Sequence, residues 1–304
     1  MVIRLPGVLR AALLCFGVCS VLAAALGGCA AIGSTVVYEK PGRFGPLFVT
    51  DDADGLRSMR FGRHGATQSS IKVGDPGYLH FDYLKLVLAG FGLAEAPRRV
   101  LIVGLGGGAL PVFLRRHYPL LQIDVAEIDP EVLTAATLHF GFRQDDLLKA
   151  HLGDGRSFIE NTPAGRYDLI ILDAFGSTEV PAHLATEEFL LAVRRALAPS
   201  GVAVSNLWKS GYNRKYDAML RTYQEVFAVV EVVETARDVN TVLFSSPRVS
   251  PVSRDQFVAR ARQLSVEKNY RFNLGMLVDN GYLGAPPKRP GVPVLRDADP
   301  AKAP

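Results

Sequence analysis

A strand pattern that runs into four glycines and then into a helical pattern lies at residues 100–116, VLIVGLGGGALPVFLRR. The unbroken apolar run before the glycines favours a strand covered on both faces, and the apolar residues after them return at helical spacing. Glycines at such a junction let the backbone approach a ligand closely, at the positive end of the helix dipole. The stretch therefore predicts a turn that binds a nucleotide or nucleoside, without saying which.

The same alternation of strand and helix patterns continues along the chain. It predicts strands at 99–104, 122–128, 149–153, 167–175 and 201–208, with helical patterns at 109–117, 130–140, 155–161 and 186–198. Strands that alternate with helices form a parallel sheet with helices on both faces. Two later patterns, VVEVVE and NTVLFSS, are too close for a crossover helix and should pair antiparallel. We expect an α/β domain with a mostly parallel, seven-stranded sheet.

Two segments flank this domain. Residues 30–75 contain three β-rich stretches separated by turn residues and predict a small N-terminal β unit. The main domain is expected over residues 76–270, beginning with a helical pattern after Asp75. Residues 285–304 are rich in proline and charge and predict a disordered tail.

The first 28 residues read as a leader of the lipoprotein type. Arg4 and Arg10 precede an apolar run, which ends in the tetrad Leu-Gly-Gly-Cys at Cys29. A basic start, a short apolar core and small residues before a cleavage point are typical of a secretory signal. The tetrad resembles a bacterial lipobox, which predicts that Cys29 is lipidated and anchors the protein to a membrane of the cell envelope, on the periplasmic side. An uncleaved anchor and a misplaced start codon, with a cytoplasmic protein, are the alternatives.

Composition excludes several other classes of site. All three cysteines lie in the leader or at its end, so the mature chain has no thiol pair for a disulfide or a metal. The six histidines show no metal-ligand spacing. The net charge of +4 falls to +2 without Arg4 and Arg10, which does not indicate a nucleic-acid partner.

Two carboxylates extend the glycine turn into a candidate nucleoside site. Glu127 ends the next strand, about 20 residues after the turn, where a carboxylate can accept hydrogen bonds from both ribose hydroxyls. Asp154 and Gly155 end the third strand, where a carboxylate can accept from an adenine amino group. NAD and S-adenosyl ligands both use a glycine loop with such an acid; Asp154 and the antiparallel strand pair favour the S-adenosyl class.

From residue 38 to residue 246 the chain resembles the spermidine synthase (polyamine aminopropyltransferase) family. The resemblance is carried by VLIVGLGGG, VAEIDPEVL, HLGDGRSFI, YDLIILDAF and LAPSGVAVSNLW. It implies a Rossmann-like methyltransferase fold preceded by a small β unit. It also implies transfer of an aminopropyl group from decarboxylated S-adenosylmethionine to a small amine in polyamine biosynthesis, without a metal, with a homodimer as a candidate assembly.

The resemblance assigns roles to individual residues. Asp173 would be the catalytic residue, whose carboxylate orients and deprotonates the attacking amine. It ends the fourth predicted strand, at the edge where open α/β sheets bind ligands. Glu127 would hold the ribose and Asp154 the adenine. The expected cofactor-binding set is Gln68, Gly104, Gly106, Gly107, Glu127, Asp129, Asp154 and Gly155. Tyr78 and Tyr83 are candidate lining residues, with a place in the core as the alternative.

The chain departs from the family pattern at two acids. Gly107 stands where the family has an aspartate that grips the donor's amine tail, and Gly176 stands where it has a second acid for the diamine. Glu179 and Asp82 are candidate substitutes. Two alternatives therefore stay open: a methyltransferase that uses S-adenosylmethionine, and a non-catalytic envelope lipoprotein that binds a nucleoside or polyamine.

Overall fold

The computed structural model describes residues 34–94, 96–176, 179–248 and 251–298. The predicted leader, with Cys29, and the last six residues lie outside the described residues. Within the described part, no helix is both long and apolar enough to cross a membrane.

The N-terminal unit is a four-stranded antiparallel sheet whose strands follow one another in sequence order. The sequence predicted three of these strands, and the fourth, β4, carries Gln68. Leu47, Val49 and Met59 are fully buried and join the same apolar cluster as the main domain. The strands are β1 (Thr35–Gly42), β2 (Gly45–Asp51), β3 (Leu56–Phe61) and β4 (Thr67–Lys72).

The main domain is built on a mostly parallel sheet in the order β12-β10-β11-β9-β8-β5-β6-β7. The four parallel pairings join β7, β6, β5, β8 and β9, and the β10–β11 pair is antiparallel as predicted. The sheet has eight strands because a short edge strand, β12, adds to the seven predicted. The strands are β5 (Arg99–Val103), β6 (Gln122–Glu127), β7 (Leu148–Leu152), β8 (Tyr167–Leu172), β9 (Leu197–Trp208), β10 (Val229–Glu234), β11 (Asn240–Ser246) and β12 (Tyr282–Gly284). The predicted Rossmann-like methyltransferase fold is confirmed.

Nine helices and one short 3₁₀ turn (Ala182–Leu184) lie in the described part. The helical pattern predicted to begin after Asp75 is split into two shorter helices, and the last helix, Leu274–Gly281, was not predicted. The helices are α1 (Asp82–Val87), α2 (Gly90–Leu93), α3 (Ala109–His117), α4 (Pro130–His139), α5 (Gly155–Glu160), α6 (Glu187–Ala196), α7 (Tyr216–Val226), α8 (Arg254–Glu267) and α9 (Leu274–Gly281).

Apolar layers cover both faces of the sheet. The central strand β5 contributes Val100 and Ile102 to one layer and Leu101 and Val103 to the other. This alternation explains why its sequence is continuously apolar, since a parallel strand buried on both faces has no solvent side. Because both faces are covered, ligands of such a sheet are expected at the carboxyl ends of its strands.

The segment predicted as a disordered tail has no helix or strand over residues 285–298, yet it contacts the main domain. Asp297 forms an ion pair with Arg156, with 2.6 Å between Oδ1 and Nη1. The backbone N–H of Leu295 donates to Thr222 at 2.9 Å, and Leu295 packs on the apolar layer. The composition of this segment could not predict these contacts, because each one joins it to a residue that is distant in the sequence.

Candidate active site

The glycine turn brings two strand ends into direct contact. Gly104 follows β5 with φ of 97°, and an ideal Cβ at this position would lie 2.3 Å from the backbone oxygen of Asp173. Any side chain here would be both strained and obstructed, so the turn needs glycine. The Asp173 N–H donates to the carbonyl of Val103 at 2.9 Å, which ties the end of β8 to the turn.

Glu127 holds the glycine turn from the neighbouring strand. Its carboxylate accepts from the backbone N–H of Leu105 at 2.9 Å and from that of Asp129 at 2.8 Å. The side chain is 6% exposed, and burial raises its pKa while the backbone hydrogen bonds oppose that rise. A carboxylate has about four lone-pair directions, so each oxygen retains capacity for a ligand hydroxyl.

Asp154 is placed by the helix that follows β7. It caps α5 by accepting from the Ser157 N–H at 2.9 Å, and its other oxygen forms a 2.8 Å hydrogen bond with His183 Nε2. Burial opposes ionisation, but the hydrogen bonds from Ser157 and His183 lower the pKa of Asp154 below its usual value. The acid is thus held as a fixed, ionised acceptor at the edge of the sheet.

Asp173 is the most perturbed acid at this edge. It is half-buried at the end of β8, where Asn206 donates to Oδ1 at 2.9 Å and Tyr83 donates to Oδ2 at 3.2 Å. Burial raises the pKa of Asp173 to about 6, against the lowering effect of both hydrogen bonds. A carboxylate with this pKa is ionised at neutral pH and can accept a proton, which suits a general base.

These groups line one cavity of about 220 Å³. The Tyr83 ring lines it, and its hydroxyl donates to Asp173. Seven of the predicted site residues contribute to the lining: Gln68, Gly104, Gly106, Glu127, Asp154, Gly155 and Asp173. The structure thus brings Glu127, Asp154 and Asp173, the predicted ribose acceptor, adenine acceptor and base, to the same cavity.

Asp129 lies outside the described lining of this cavity. It is 1% exposed and caps α4 by accepting from the Glu131 N–H at 2.9 Å. Its second oxygen accepts from the Arg43 N–H at 2.6 Å, in the turn between β1 and β2. Asp129 therefore joins the N-terminal unit to the main domain, and its assignment to the cofactor stays a prediction that its position does not favour.

Gly107 also lies outside the described lining, and its surroundings leave no room for a side chain. An ideal Cβ would lie 2.6 Å from Cδ1 of Phe140 and 2.8 Å from Oγ of Ser69. A side chain at position 107 would therefore require Phe140 and Ser69 to shift.

Gly107→Asp should consequently destabilise the fold instead of restoring a donor contact. Overpacking of this kind costs about 1–3 kcal/mol, which should lower the melting temperature by several degrees. The double variant Gly107→Asp/Phe140→Ala should lose less stability than the sum of the losses in the two single variants, because the smaller side chain at position 140 makes room for the aspartate. A melting temperature equal to that of the unmodified protein would contradict this view of the site.

The proposed substitute acids are engaged elsewhere. Asp82 forms an ion pair with Lys85, with 2.8 Å between Oδ1 and Nζ. Glu179 lies 3.4 Å from Lys215 Nζ and lines a neighbouring cavity, which shares Phe175 and His183 with the first. Neither acid therefore stands beside Asp173 as an unpaired carboxylate.

Sequence reasoning missed the residues that frame the site from distant elements. Arg43 and Phe44 reach the cavity from the N-terminal unit, Ser69 follows Gln68 on β4, and Asn206 orients Asp173 from β9. The sequence signal for Asn206 was its polar side chain, next to Ser205 in a largely apolar strand. Among the described residues, no group of three or more His, Cys, Asp or Glu side chains is arranged to hold a metal ion.

The family model for the spermine/spermidine synthase domain matches residues 83–247. The chain belongs to this family. The matched region begins at Tyr83 and includes the glycine turn, Glu127, Asp154 and Asp173, so most of the cavity lining lies within it, and the N-terminal unit supplies the rest.

Individual relatives agree with this membership. The polyamine aminopropyltransferase of Vibrio vulnificus is 34% identical over 199 residues, which cover 64% of this chain and 66% of that protein. The chain thus spans just under two thirds of this relative's length. A probable spermidine synthase from Corynebacterium glutamicum has the same fold, with a TM-score of 0.68, 19% identity and coverage of 87% and 98% of the two chains.

A methyltransferase is also similar. Human methyltransferase-like protein 13, solved in complex with SAH, is 30% identical with a TM-score of 0.57. The alignment covers 62% of this chain and 93% of that one. The proteins similar to this chain therefore include both spermidine synthases and a methyltransferase-like protein.

Proposed function

We propose that the protein transfers an aminopropyl group from decarboxylated S-adenosylmethionine to an amine. The observation that carries this proposal is Asp173, a half-buried carboxylate of raised pKa that lines the cavity and is held by two donors. Family membership supports the reaction class, and the geometry supports Asp173 as the base for the incoming amine.

The donor's nucleoside would be held by the two acids on the neighbouring strands. Glu127 would accept from the ribose hydroxyls with the lone pairs that the backbone leaves unused, and Asp154 would accept from the adenine amino group. Apolar lining residues such as Ile128 and Leu184 suit a purine ring. This arrangement would leave the sulfonium end of the donor facing the end of β8.

The proposed step is a direct displacement at carbon. The amine nitrogen uses its lone pair to form a bond to the methylene carbon next to the sulfonium, and the carbon–sulfur bond breaks with its electrons going to sulfur. Methylthioadenosine leaves as a neutral thioether. Asp173 accepts the proton that the amine must lose, which requires its ionised form and hence a pH above about 6.

The acceptor is proposed to present one ammonium group near Asp173. A second buried ammonium would need its own carboxylate to replace lost hydration. Position 176 is glycine, and Glu179 is paired with Lys215. A monoamine therefore fits the described groups better than a diamine.

Methyl transfer is the second candidate, and Gly107 favours it. Glycine at position 107 lacks the carboxylate by which the family would select the amine tail of the decarboxylated donor, and Phe140 and Ser69 occupy the space that a side chain would need. The related human methyltransferase-like protein 13, solved with SAH, uses the same fold. The two candidates share the nucleoside site and differ in the donor.

Calorimetric titration of the protein tests the choice of donor. We expect methylthioadenosine and decarboxylated S-adenosylmethionine to bind more tightly than S-adenosylmethionine. Tighter binding of S-adenosylmethionine would favour methyl transfer. Absence of binding by all three ligands would contradict both candidates and leave a non-nucleoside binder.

We further propose that the protein is lipid-anchored in the cell envelope. The support is the basic and apolar leader that ends in Leu-Gly-Gly-Cys at Cys29. Cys29→Ala should abolish labelling by a fatty-acid probe and block cleavage before residue 29. Intact residues 1–28 on a soluble cytoplasmic protein would contradict the proposal.

A further inference from the structure

The turn between β10 and β11 is held in one conformation by its own polar groups. Thr235 Oγ1 donates to the carbonyl of Asp238 at 2.8 Å and contacts that of Asn240 at 3.0 Å. Lys209 at the end of β9 donates from Nζ to the carbonyl of Thr235 at 2.7 Å. The turn is therefore fixed both internally and against the strand that carries Asn206.

The first connection from this turn to Asp173 runs through two asparagines. Asn240 Nδ2 donates to Asn206 Oδ1 at 2.8 Å, and Asn206 Nδ2 donates to Asp173 Oδ1 at 2.9 Å. Asn240 is 8% exposed and Asn206 is 4% exposed, so water does not compete for either amide. Because Asn240 occupies the oxygen of Asn206, the amide nitrogen of Asn206 must face Asp173.

The second connection runs through helix α1. Phe81, at its N-cap, makes no side-chain cap hydrogen bond. Asp238 supplies the missing acceptor from the turn, since its Oδ2 accepts from the backbone N–H of Asp82 at 2.7 Å. The next residue of the helix is Tyr83, whose hydroxyl donates to Asp173 Oδ2 at 3.2 Å. Asp238 thereby fixes the helix end from which the second donor reaches the base.

We propose that the β10–β11 turn positions the base, with Asn240 and Asp238 as positioning residues that hold the two donors on Asp173. Each oxygen of Asp173 then has one donor from the protein and keeps its remaining lone pair for the incoming amine. The catalytic meaning of this arrangement rests on the proposed function. The positioning itself is a property of the fold and can be measured without turnover.

The electrostatic surroundings make Asp173 sensitive to this turn. The groups that face it are Asn206 from β9 and Tyr83 from α1, with Asp238 beyond the tyrosine. Glu127, Asp154 and His183 line the same cavity. Since both donors favour the ionised carboxylate, loss of either should raise the pKa of Asp173 further.

The test is an NMR titration of the Asp173 carboxyl carbon in the full protein, assigned with Asp173→Asn. Asn240→Leu keeps the side-chain volume but frees the Asn206 amide to turn its oxygen toward Asp173. We expect about tenfold tighter proton binding by Asp173, and the acid limb of the pH profile of kcat/KM should move up equally. Asp238→Ala should shift both in the same direction, and Asp238→Asn, which loses the same charge but keeps an acceptor oxygen for the Asp82 N–H, should not. The difference between these two variants measures the hydrogen bond and not the charge.

Val232→Ala is the matched control, since it removes apolar volume from β10 and none of the polar contacts. It should lower the melting temperature without moving the Asp173 titration. Unchanged titration of Asp173 in both Asn240→Leu and Asp238→Ala would overturn the proposal. If the unmodified protein shows no transfer at all, the proposed function fails, and the NMR titration still decides the role of the turn.

Discussion

Asp173→Asn is expected to lower turnover by about 10²–10⁴-fold while methylthioadenosine affinity stays nearly unchanged. The substitution keeps the size of the side chain and one acceptor oxygen, replaces the other oxygen by an amide donor, and removes the charge and the base. The nucleoside is proposed to contact Glu127 and Asp154 on other strands, so its binding should not depend on this carboxylate. Steady-state kinetics and calorimetry on the same preparation measure both quantities.

The pH dependence gives the control for this substitution. Burial raises the pKa of Asp173 to about 6, so the unmodified protein should lose activity as the pH falls through 6. The folded-state pKa lies above that of the unfolded chain, so ionised Asp173 costs stability above pH 6, and the asparagine variant should not melt earlier at pH 7. Equal turnover by the variant, or a profile without an acid limb near 6, would remove Asp173 from the role of base.

Glu127→Ala is expected to weaken methylthioadenosine binding by at least about tenfold. The proposed hydrogen bonds from the ribose hydroxyls to a charged acceptor would be lost. The N–H groups of Leu105 and Asp129 also lose the carboxylate that orders the turn. The melting temperature should also fall, because two buried donors are left unsatisfied. Calorimetry and thermal unfolding follow the two effects separately.

Asp129→Ala is the matched control for Glu127. Both acids are buried at or just after the end of β6, and both accept backbone hydrogen bonds. The Asp129 carboxylate, however, contacts the N-terminal unit and does not belong to the described lining of the cavity. Asp129→Ala should therefore lower the melting temperature with little change in nucleoside affinity. Equal losses of affinity in the two variants would show that Glu127 acts through the fold and not through contact with the ligand.

Much of the fold could be predicted because local patterns and packing agree. The continuous apolar run of β5 and the helical spacing after its glycines each specify one element, and their alternation specifies a parallel sheet. Strand β12 and helix α9 were missed because they are short and weakly patterned and depend on contacts with α8 and β10. The split of the first helix between α1 and α2 likewise has no periodic signal.

The site was predictable where a residue type and a strand end coincide. Glu127 is the last residue of β6, Asp173 follows β8 directly, and Asp154 lies two residues after β7. These positions at the carboxyl ends of parallel strands bring the three acids to one edge. Asn240 and Asp238 could not be predicted, because their roles arise from the pairing of β11 with β9 and the packing of a turn on α1. The closure at Gly107 depends on the distant Phe140 and is equally invisible in the sequence.

Aminopropyl transfer can be measured by product analysis with decarboxylated S-adenosylmethionine and a panel of acceptors that includes a monoamine, putrescine, cadaverine and spermidine. We expect an aminopropylated amine and methylthioadenosine in equal amounts, with the monoamine used at least as well as the diamines. A methylated product formed only from S-adenosylmethionine, or no product from any amine despite nucleoside binding, would contradict aminopropyl transfer.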